Sequence, residues 1–402
     1  MATDHDIGIV GTGLLGLATA RAILERLPNR SVVVIDKAES IASHQSSHNS
    51  GVIHSGLYYT PGSLKARLCV EGRDLMYEFC AERGIPHRRS GKLVIASTES
   101  EVAQLDELER RGRANGLNRI ERLGRDAIAE YEPDAVGVAA LRVPDAGVVD
   151  YPAVASAIAA DLEARGATII TGAEVTSVKE TSGAVSVIAG GDALTVSLLV
   201  NCAGLHSDRI ASMSGLEPSV RIVPFRGEYY RLTDGSTDRV RALIYPVPDP
   251  RFPFLGVHFT RRVDGTVEVG PNAVLALGRE HYRGASMNWR DTRETLAFEG
   301  FQRLAVKHAW QGIRELVTSR SRTMYARHAR RLVPATRSTD LLPGGSGVRA
   351  QAVTKDGKLV DDFVIQRTDS TVHVLNAPSP GATASLAIGR AIAARVESTL
   401  RR

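Results

Sequence analysis

Three glycines near the start of the chain, Gly11, Gly13 and Gly16, stand in G-x-G-x-x-G spacing between an apolar run, Ile7 to Val10, and a stretch of small residues, Leu14 to Leu24. This arrangement suits phosphate chemistry. Gly11 permits a tight turn, Gly13 lets the backbone approach a pyrophosphate, and Gly16 allows helix and strand to pack closely. A helix beginning at Leu14 offers unpaired N–H groups and a partial positive charge to the phosphates. A second apolar run, Val32 to Ile35, ends at Asp36 and Lys37, with Asp36 twenty residues beyond Gly16. A carboxylate there accepts both hydroxyls of an adenosine ribose and repels a 2′-phosphate, which argues against NADP. The bland alternative, a strand–helix–strand unit with no ligand, leaves the glycines, the helix start and the acid in register for no reason.

A second chemical feature lies near the other end. Pro378, Pro380, Gly381, Ala382 and Thr383 precede a helix of small apolar residues. That is another helix N-terminus with bare N–H groups, suited to a carbonyl that gains negative charge. A nicotinamide needs no such partner, whereas a reduced flavin does at its N1–C2=O edge. Together the two turns argue for FAD over NAD. Taken alone, the C-terminal turn would read as a Pro-stopped loop with a helix cap.

The elements that must position these groups follow from periodicity. The chain has 402 residues, 43% hydrophobic and 24% charged, with a formal charge of +5. These values fit a globular protein of about two domains with a large core. Cys69, Cys80 and Cys202 are scattered, with neither metal-ligand spacing nor a disulfide framework, as in a reducing compartment. The first strand begins within six residues of Met1, leaving no room for a leader, and no apolar run is long enough to span a bilayer, so a cytoplasmic location is expected. The Ser-, Gly- and His-rich stretch up to about Ser63 reads as a loop, followed by a helix through about Glu82. Strands are expected at 91–96, after 167 and at Leu198 to Cys202, and helices at 99–115 and in VVDYPAVASAIAADLEARG. Residues 220–275 alternate as strands, 289–330 read as helices, and the tail is a strand, a turn and a closing helix. The fold class is therefore α/β: a discontinuous Rossmann-type FAD-binding domain (1–90, 145–218 and 340–402) with an inserted α+β substrate domain (91–144 and 219–339) on a mixed or antiparallel sheet.

The segments SSHNSGVIHSGLYYTPGSLKARLC (46–69), GKLVIA (91–96), PFRGEYYRL (224–232), VHFTRRVDGTVEVGPNAVLAL (257–277), GVRAQ (347–351) and HVLNAPSPGATASLAIG (373–389) carry a resemblance. In order and along the whole chain, they resemble the FAD-dependent D-amino-acid oxidase and glycine oxidase superfamily. Within it they look like the L-2-hydroxyglutarate dehydrogenase/oxidase family. One departure is Gly381, where that pattern leads one to expect Ala. The resemblance implies oxidation of L-2-hydroxyglutarate to 2-oxoglutarate, with electrons passing to oxygen or a quinone. It also implies that Ser47, His48, Asn49 and Ser50 run past the flavin, with His48 in contact with it or bonded to it. Ala203, Gly204 and Asp208 resemble the superfamily's second nucleotide motif, and Val175 matches the residue whose backbone meets adenine. For Asp208 the plain alternative is a helix cap. Related readings also stay open: oxidation of glycerol 3-phosphate or an amino acid, or a flavoprotein without turnover.

Oxidising a 2-hydroxy acid moves the C2 hydrogen as hydride, and the hydroxyl proton must leave as well. An alcohol needs a positioned base, and histidine suits that role. His54 is placed first as base or substrate ligand and His258 second, each against the alternative of a histidine hydrogen-bonded in a loop or strand. Arg349 matches the arginine that superfamily members use to hold the α-carboxylate, where a bidentate fork matters. The second carboxylate could meet Lys65, Arg226, Tyr245 or His258. For Lys65 and Arg226 a surface ion pair is an equal alternative.

Charge is unevenly spread. Residues 279–331 hold twelve Lys or Arg against five Asp or Glu, together with both tryptophans, Trp289 and Trp310. Such a segment reads either as a helical cap on the substrate domain or as a peripheral contact with the anionic inner face of the cell membrane, which would suit delivery of electrons to a quinone. The rest of the chain is slightly acidic and carries no nucleic-acid motif, so no nucleic-acid partner is expected.

Overall fold

The computed structural model describes residues 3–249, 256–282, 287–308 and 321–401. Two large sheets dominate. The eight-stranded sheet is built on His5–Val10, which pairs in parallel with Val32–Ile35 on one side and with Asp192–Asn201 on the other. Thr168–Ile170 extends it beyond Val32–Ile35. The long strand Asp192–Asn201 is used twice along the edge away from His5–Val10. Its first half closes an antiparallel meander with Ala184–Ala189, and its last residues pair in parallel with Thr371–Asn376. The C-terminal part of the chain thereby returns to the sheet opened at the N-terminus.

Val32–Ile35 is wholly buried, as expected of a parallel strand covered on both faces. The helices Leu14–Arg26, Leu64–Glu82, Tyr151–Ala164 and Ser385–Leu400 share one apolar core with Ile7, Ile9, Val32 and Val34. The first and last of these helices pack very closely. A Cβ at Gly389 would lie 2.6 Å from the Ala18 carbonyl oxygen. Caps mark two helix starts that the sequence suggests: Ser63 accepts from the Ala66 amide, and Asp150 from the Ala153 amide.

The nine-stranded sheet runs Val274–Leu275, Arg221–Leu232, Val267–Gly270, His258–Arg261, Leu243–Pro246, Lys92–Ala96, Ala139–Val143 and Glu121–Gly124, with Leu341–Val353 paired to Arg221–Leu232. It is mixed: Leu243–Pro246 and Lys92–Ala96 run parallel, and their neighbours are antiparallel. Here the sequence-based boundary at 340 moves. Leu341–Val353 matches Arg221–Leu232 along nearly its whole length, so the chain re-enters the first sheet only at Val364–Arg367. The strands Ala139–Val143 and Glu121–Gly124 carried no strong signal, being short and interrupted by charge.

Of the basic, tryptophan-bearing segment, Trp310, Ile313 and Leu316 lie outside the described residues. Phe298, Phe301 and Leu304 pack against Val223, Val353 and Leu359, as a cap does. Among the described residues no helix is long and apolar enough to cross a membrane.

Candidate active site

A cavity of about 710 Å³ runs between the two sheets, within the usual range for cofactor sites. One end is formed by the Gly11–Leu14 turn, Asp36 and Val175, and the other by Tyr245, His258 and Arg349.

The nucleotide end is built from backbone. Gly11 has φ +114°, and a Cβ there would sit 2.5 Å from the Cys202 carbonyl oxygen. The helix that follows has Gly13 as its N-cap, with no side-chain cap from that residue and no acid in its first turn. The Leu14 amide is met by Ser46 Oγ at 2.9 Å. Ser46 lines the cavity, while Ser47 does not: its hydroxyl donates to the Ala42 carbonyl at 2.6 Å. It is the Ser46 side chain, next to the expected Ser47, that faces the helix start. Gly16 also lies off the cavity, since a Cβ at 16 would fall 1.9 Å from the Gly11 carbonyl oxygen and break the turn that shapes it.

Asp36 is fastened in place. One carboxylate oxygen accepts from the Thr12 amide at 2.7 Å and the Thr12 hydroxyl at 2.8 Å, and the other accepts from the Ala38 amide at 2.9 Å. Lys37 lines the cavity but directs its ammonium to Glu280 and His206. Ala203 and Gly204 line it as well. Asp208 does not. It is fully buried and pairs with the Arg279 guanidinium, at 3.0 Å to Nη2, while also accepting from the Ile222 amide at 3.0 Å. Its role is to lock the segment after Asn201 to the second sheet.

In the middle of the cavity lie His48, Asn49 and Ser50. The His48 Nδ1–H donates to the His44 carbonyl at 3.0 Å, and the ring stacks on Tyr282 with centroids 4.0 Å apart. The Asn49 side chain bonds back to its own loop. Opposite is the turn Gly381–Thr383, all three residues of which face the cavity. A Cβ at 381 would come within 2.7 Å of the Ala377 carbonyl oxygen, so glycine is the residue that fits this turn. The Thr383 hydroxyl accepts from the His54 amide at 3.1 Å and lies 3.0 Å from the Tyr151 hydroxyl.

At the far end two histidines face the space, His258 from the nine-stranded sheet and His54 from the loop that follows Ile53. His258 is 4% exposed and stacks on Tyr245 with ring centroids 3.9 Å apart. Its Nδ1–H donates to the Gly256 carbonyl at 2.9 Å, which leaves Nε2 with its lone pair and no hydrogen bond among the described residues. Burial, with Arg349 and Lys92 nearby, pushes this imidazole down to about 3. His54 is likewise pushed down to about 3, by burial first and then by Lys92, His258, Lys65 and Arg349. Its Nδ1 is buried without a partner, and its Nε2 lies 3.5 Å from Ser379 Oγ. Both rings are therefore neutral in the free protein at ordinary pH.

Arg349 lines the cavity beside Tyr229, with which it shares a hydrogen bond. Lys65 reaches the same space, yet its ammonium is held by Asp361, at 2.7 Å to the carboxylate and 2.9 Å to the carbonyl. Arg226 is not among the cavity-lining residues, and its guanidinium pairs with Glu228 at 2.7 Å; the ion-pair alternative describes it. Sequence reasoning missed Tyr58, Tyr229 and Lys92. Lys92 is 2% exposed, and its Nζ lies 4.4 Å from the Tyr58 ring centroid and 4.7 Å from that of Tyr245. Its one signal was a charge at the head of an otherwise apolar strand.

The model of the family described as DAO, FAD dependent oxidoreductase, matches residues 6–395. The chain belongs to this family. It is 45% identical over 387 residues to "L-2-hydroxyglutarate dehydrogenase" of Indibacter alkaliphilus, covering 96% of this chain and 97% of the relative. It is 43% identical over 408 residues to "L-2-hydroxyglutarate dehydrogenase, mitochondrial" of Nematostella vectensis, covering 97% and 90%. Among solved structures, the FAD-bound L-alpha-glycerophosphate oxidase of Mycoplasma pneumoniae superposes with a TM-score of 0.80, at 24% identity over 98% of this chain and 95% of that one. This last likeness shows a shared fold. FAD is the family's cofactor, and the cavity fits it on its own terms. A glycine turn leads into a helix N-terminus with no acid in its first turn at one end, the Gly381–Thr383 turn closes the middle, and Gly11 lets the turn pack against the Cys202 carbonyl where a Cβ would clash.

Proposed function

We propose that this FAD-dependent oxidoreductase converts L-2-hydroxyglutarate to 2-oxoglutarate. The observation that carries the reading is two buried imidazoles set with Arg349 on one cavity, in a chain 45% identical over 387 residues to a relative bearing that dehydrogenase name. The eight-stranded sheet and its helices would hold FAD through Gly11, Gly13, Leu14, Asp36, Val175, Ala203, Gly204 and Gly381–Thr383. The nine-stranded sheet would supply the substrate side.

When bound, FAD supplies the two-electron acceptor for the C2 hydrogen. The protein's own groups do the rest. Arg349 grips the α-carboxylate through its fork, which fixes C2 and its hydroxyl. His258 Nε2 takes the hydroxyl proton. Its fixed tautomer supports that role, because an acceptor lone pair is present whenever the ring is neutral. His54 offers a second imidazole as substrate ligand. Binding a dianion next to these rings favours their protonated form, which raises their basicity when it is needed. Measuring 2-oxoglutarate formed with an artificial dye acceptor, alongside ammonia, tests the reaction. Stoichiometric keto acid without ammonia supports it. Oxidation of glycerol 3-phosphate or of amino acids in its place contradicts it.

The electron acceptor, on this reading, is a quinone or oxygen, and the protein is cytoplasmic. A peripheral membrane contact has one supporting feature: Trp289 is 75% exposed and Leu296 51% exposed on a helix that also carries Arg290 and Arg293. Co-flotation with anionic vesicles at low salt, lost at high salt, tests it. No flotation at low salt contradicts it.

A further inference from the structure

Among the described residues Lys92 has no counterion. Its Nζ has no hydrogen-bond acceptor there, and the residue is 2% exposed. Lys92 itself is not among the cavity-lining residues, but its ammonium lies over the rings of Tyr58 and Tyr245, which are, so it sits one ring's thickness behind the cavity wall. The Tyr58 hydroxyl is likewise buried and unpartnered. An ammonium kept out of water with nothing to answer it is expensive, and such groups persist where a ligand supplies the missing charge. The cations that line the cavity are already assigned: Lys37, Arg111, Arg209 and Arg290 pair with Glu280, Glu107, Asp291 and Glu294. Lys65 is neutralised by Asp361, and Arg349 suits the α-carboxylate.

We infer that Lys92 and the Tyr58 hydroxyl form the subsite for the substrate's second carboxylate, with the Tyr245 ring as its wall. The inference rests on the proposed reaction for the identity of the substrate, and it assigns the residue that separates a dicarboxylate from a monocarboxylate. The position follows from topology. Lys92 lies opposite Leu243 at the start of the one parallel pairing in the nine-stranded sheet, and Tyr245 lies two residues further along the same pair. Burial also brings the ammonium down to about 7, so a bound carboxylate would draw a proton onto it.

Two measurements on the FAD-loaded enzyme test this. The first is turnover of L-2-hydroxyglutarate and of L-2-hydroxybutyrate by wild type, Lys92→Met, Lys92→Arg and Tyr58→Phe. The Lys92→Met change should raise KM for the dicarboxylate at least about tenfold and KM for the monocarboxylate far less, so that the ratio of the two kcat/KM values falls by a similar factor. Lys92→Arg should restore part of the preference. The second is calorimetric binding of glutarate, an inert dicarboxylate, which Lys92→Met should weaken by a similar factor and Tyr58→Phe by less. A wild type that binds glutarate but does not oxidise L-2-hydroxyglutarate overturns the proposed reaction and keeps the subsite. A wild type that oxidises it, with Lys92→Met retaining both substrate preference and glutarate binding, overturns the subsite. Should Lys92→Met fail to fold, Tyr58→Phe decides: unchanged preference and unchanged glutarate affinity overturn the inference.

Discussion

The Nδ1–H of His258 donates to the carbonyl of Gly256 at 2.9 Å, two residues back on the same chain. A carbonyl oxygen only accepts, so the bond sets the tautomer and leaves Nε2 as the acceptor in a ring that burial keeps neutral. The His258→Asn variant should therefore lose about a hundredfold or more in the rate of flavin reduction, with KM changed far less. His54→Asn should act more on KM than on that rate. Anaerobic rapid mixing of both variants checks the division of labour. If His54→Asn shows the larger rate loss, the base is His54.

Arg349 is expected to work through geometry as well as charge. Replacing it with Lys keeps the cation and removes the fork, which should lower kcat/KM by on the order of tenfold to a hundredfold while the melting temperature stays near wild type. Steady-state kinetics beside thermal unfolding separates the two effects. A Lys variant of wild-type efficiency would remove Arg349 from the site.

Asp208 and Arg279 form a buried pair joining the segment after the first sheet to the second sheet. Removing one partner strands the other, so Asp208→Ala should destabilise the fold by about 3–5 kcal/mol. Denaturant unfolding measures this. A near-neutral result would show that the pair is not structural.

Acid should unfold the protein early. His54 and His258 are pushed down to about 3, His206 to about 2 and His373 to about 4, each by burial first. The unfolded chain takes up protons at these rings near pH 6.5, while the folded chain does not until much lower pH. Stability from these groups is thus full above about pH 6.5 and is lost progressively as pH falls through about 4 for His373, about 3 for His54 and His258 and about 2 for His206. Melting temperatures recorded between about pH 7.5 and about pH 5 should decline before the carboxylates titrate. A flat profile over that range would contradict the neutral assignment.

What was legible in the sequence was local. The glycine turn, the Val32–Ile35 strand and the C-terminal helix each depend on neighbours a few residues away, so their pattern is written in a short window. His54, His258 and Arg349 stood in motifs that a resemblance could point to. Lys92 was invisible because its meaning depends on parallel pairing with Leu243 and on two tyrosine faces from distant segments. Asp208 stayed open between a nucleotide motif and a helix cap for the same kind of reason: its pairing with Arg279, 71 residues later, cannot be read from a short window. That Leu341–Val353 pairs with Arg221–Leu232 was not legible either, because a strand's own sequence does not name its partner.

The most direct test of the central claim is anaerobic. Purified enzyme with its flavin oxidised is mixed with L-2-hydroxyglutarate and, separately, with the D-isomer, while the flavin absorbance near ~450 nm is followed. Rapid bleaching by the L-isomer alone is the expected result. A flavin-loaded protein that neither isomer bleaches, or that the D-isomer bleaches as readily, would contradict the assignment of this site to L-2-hydroxyglutarate.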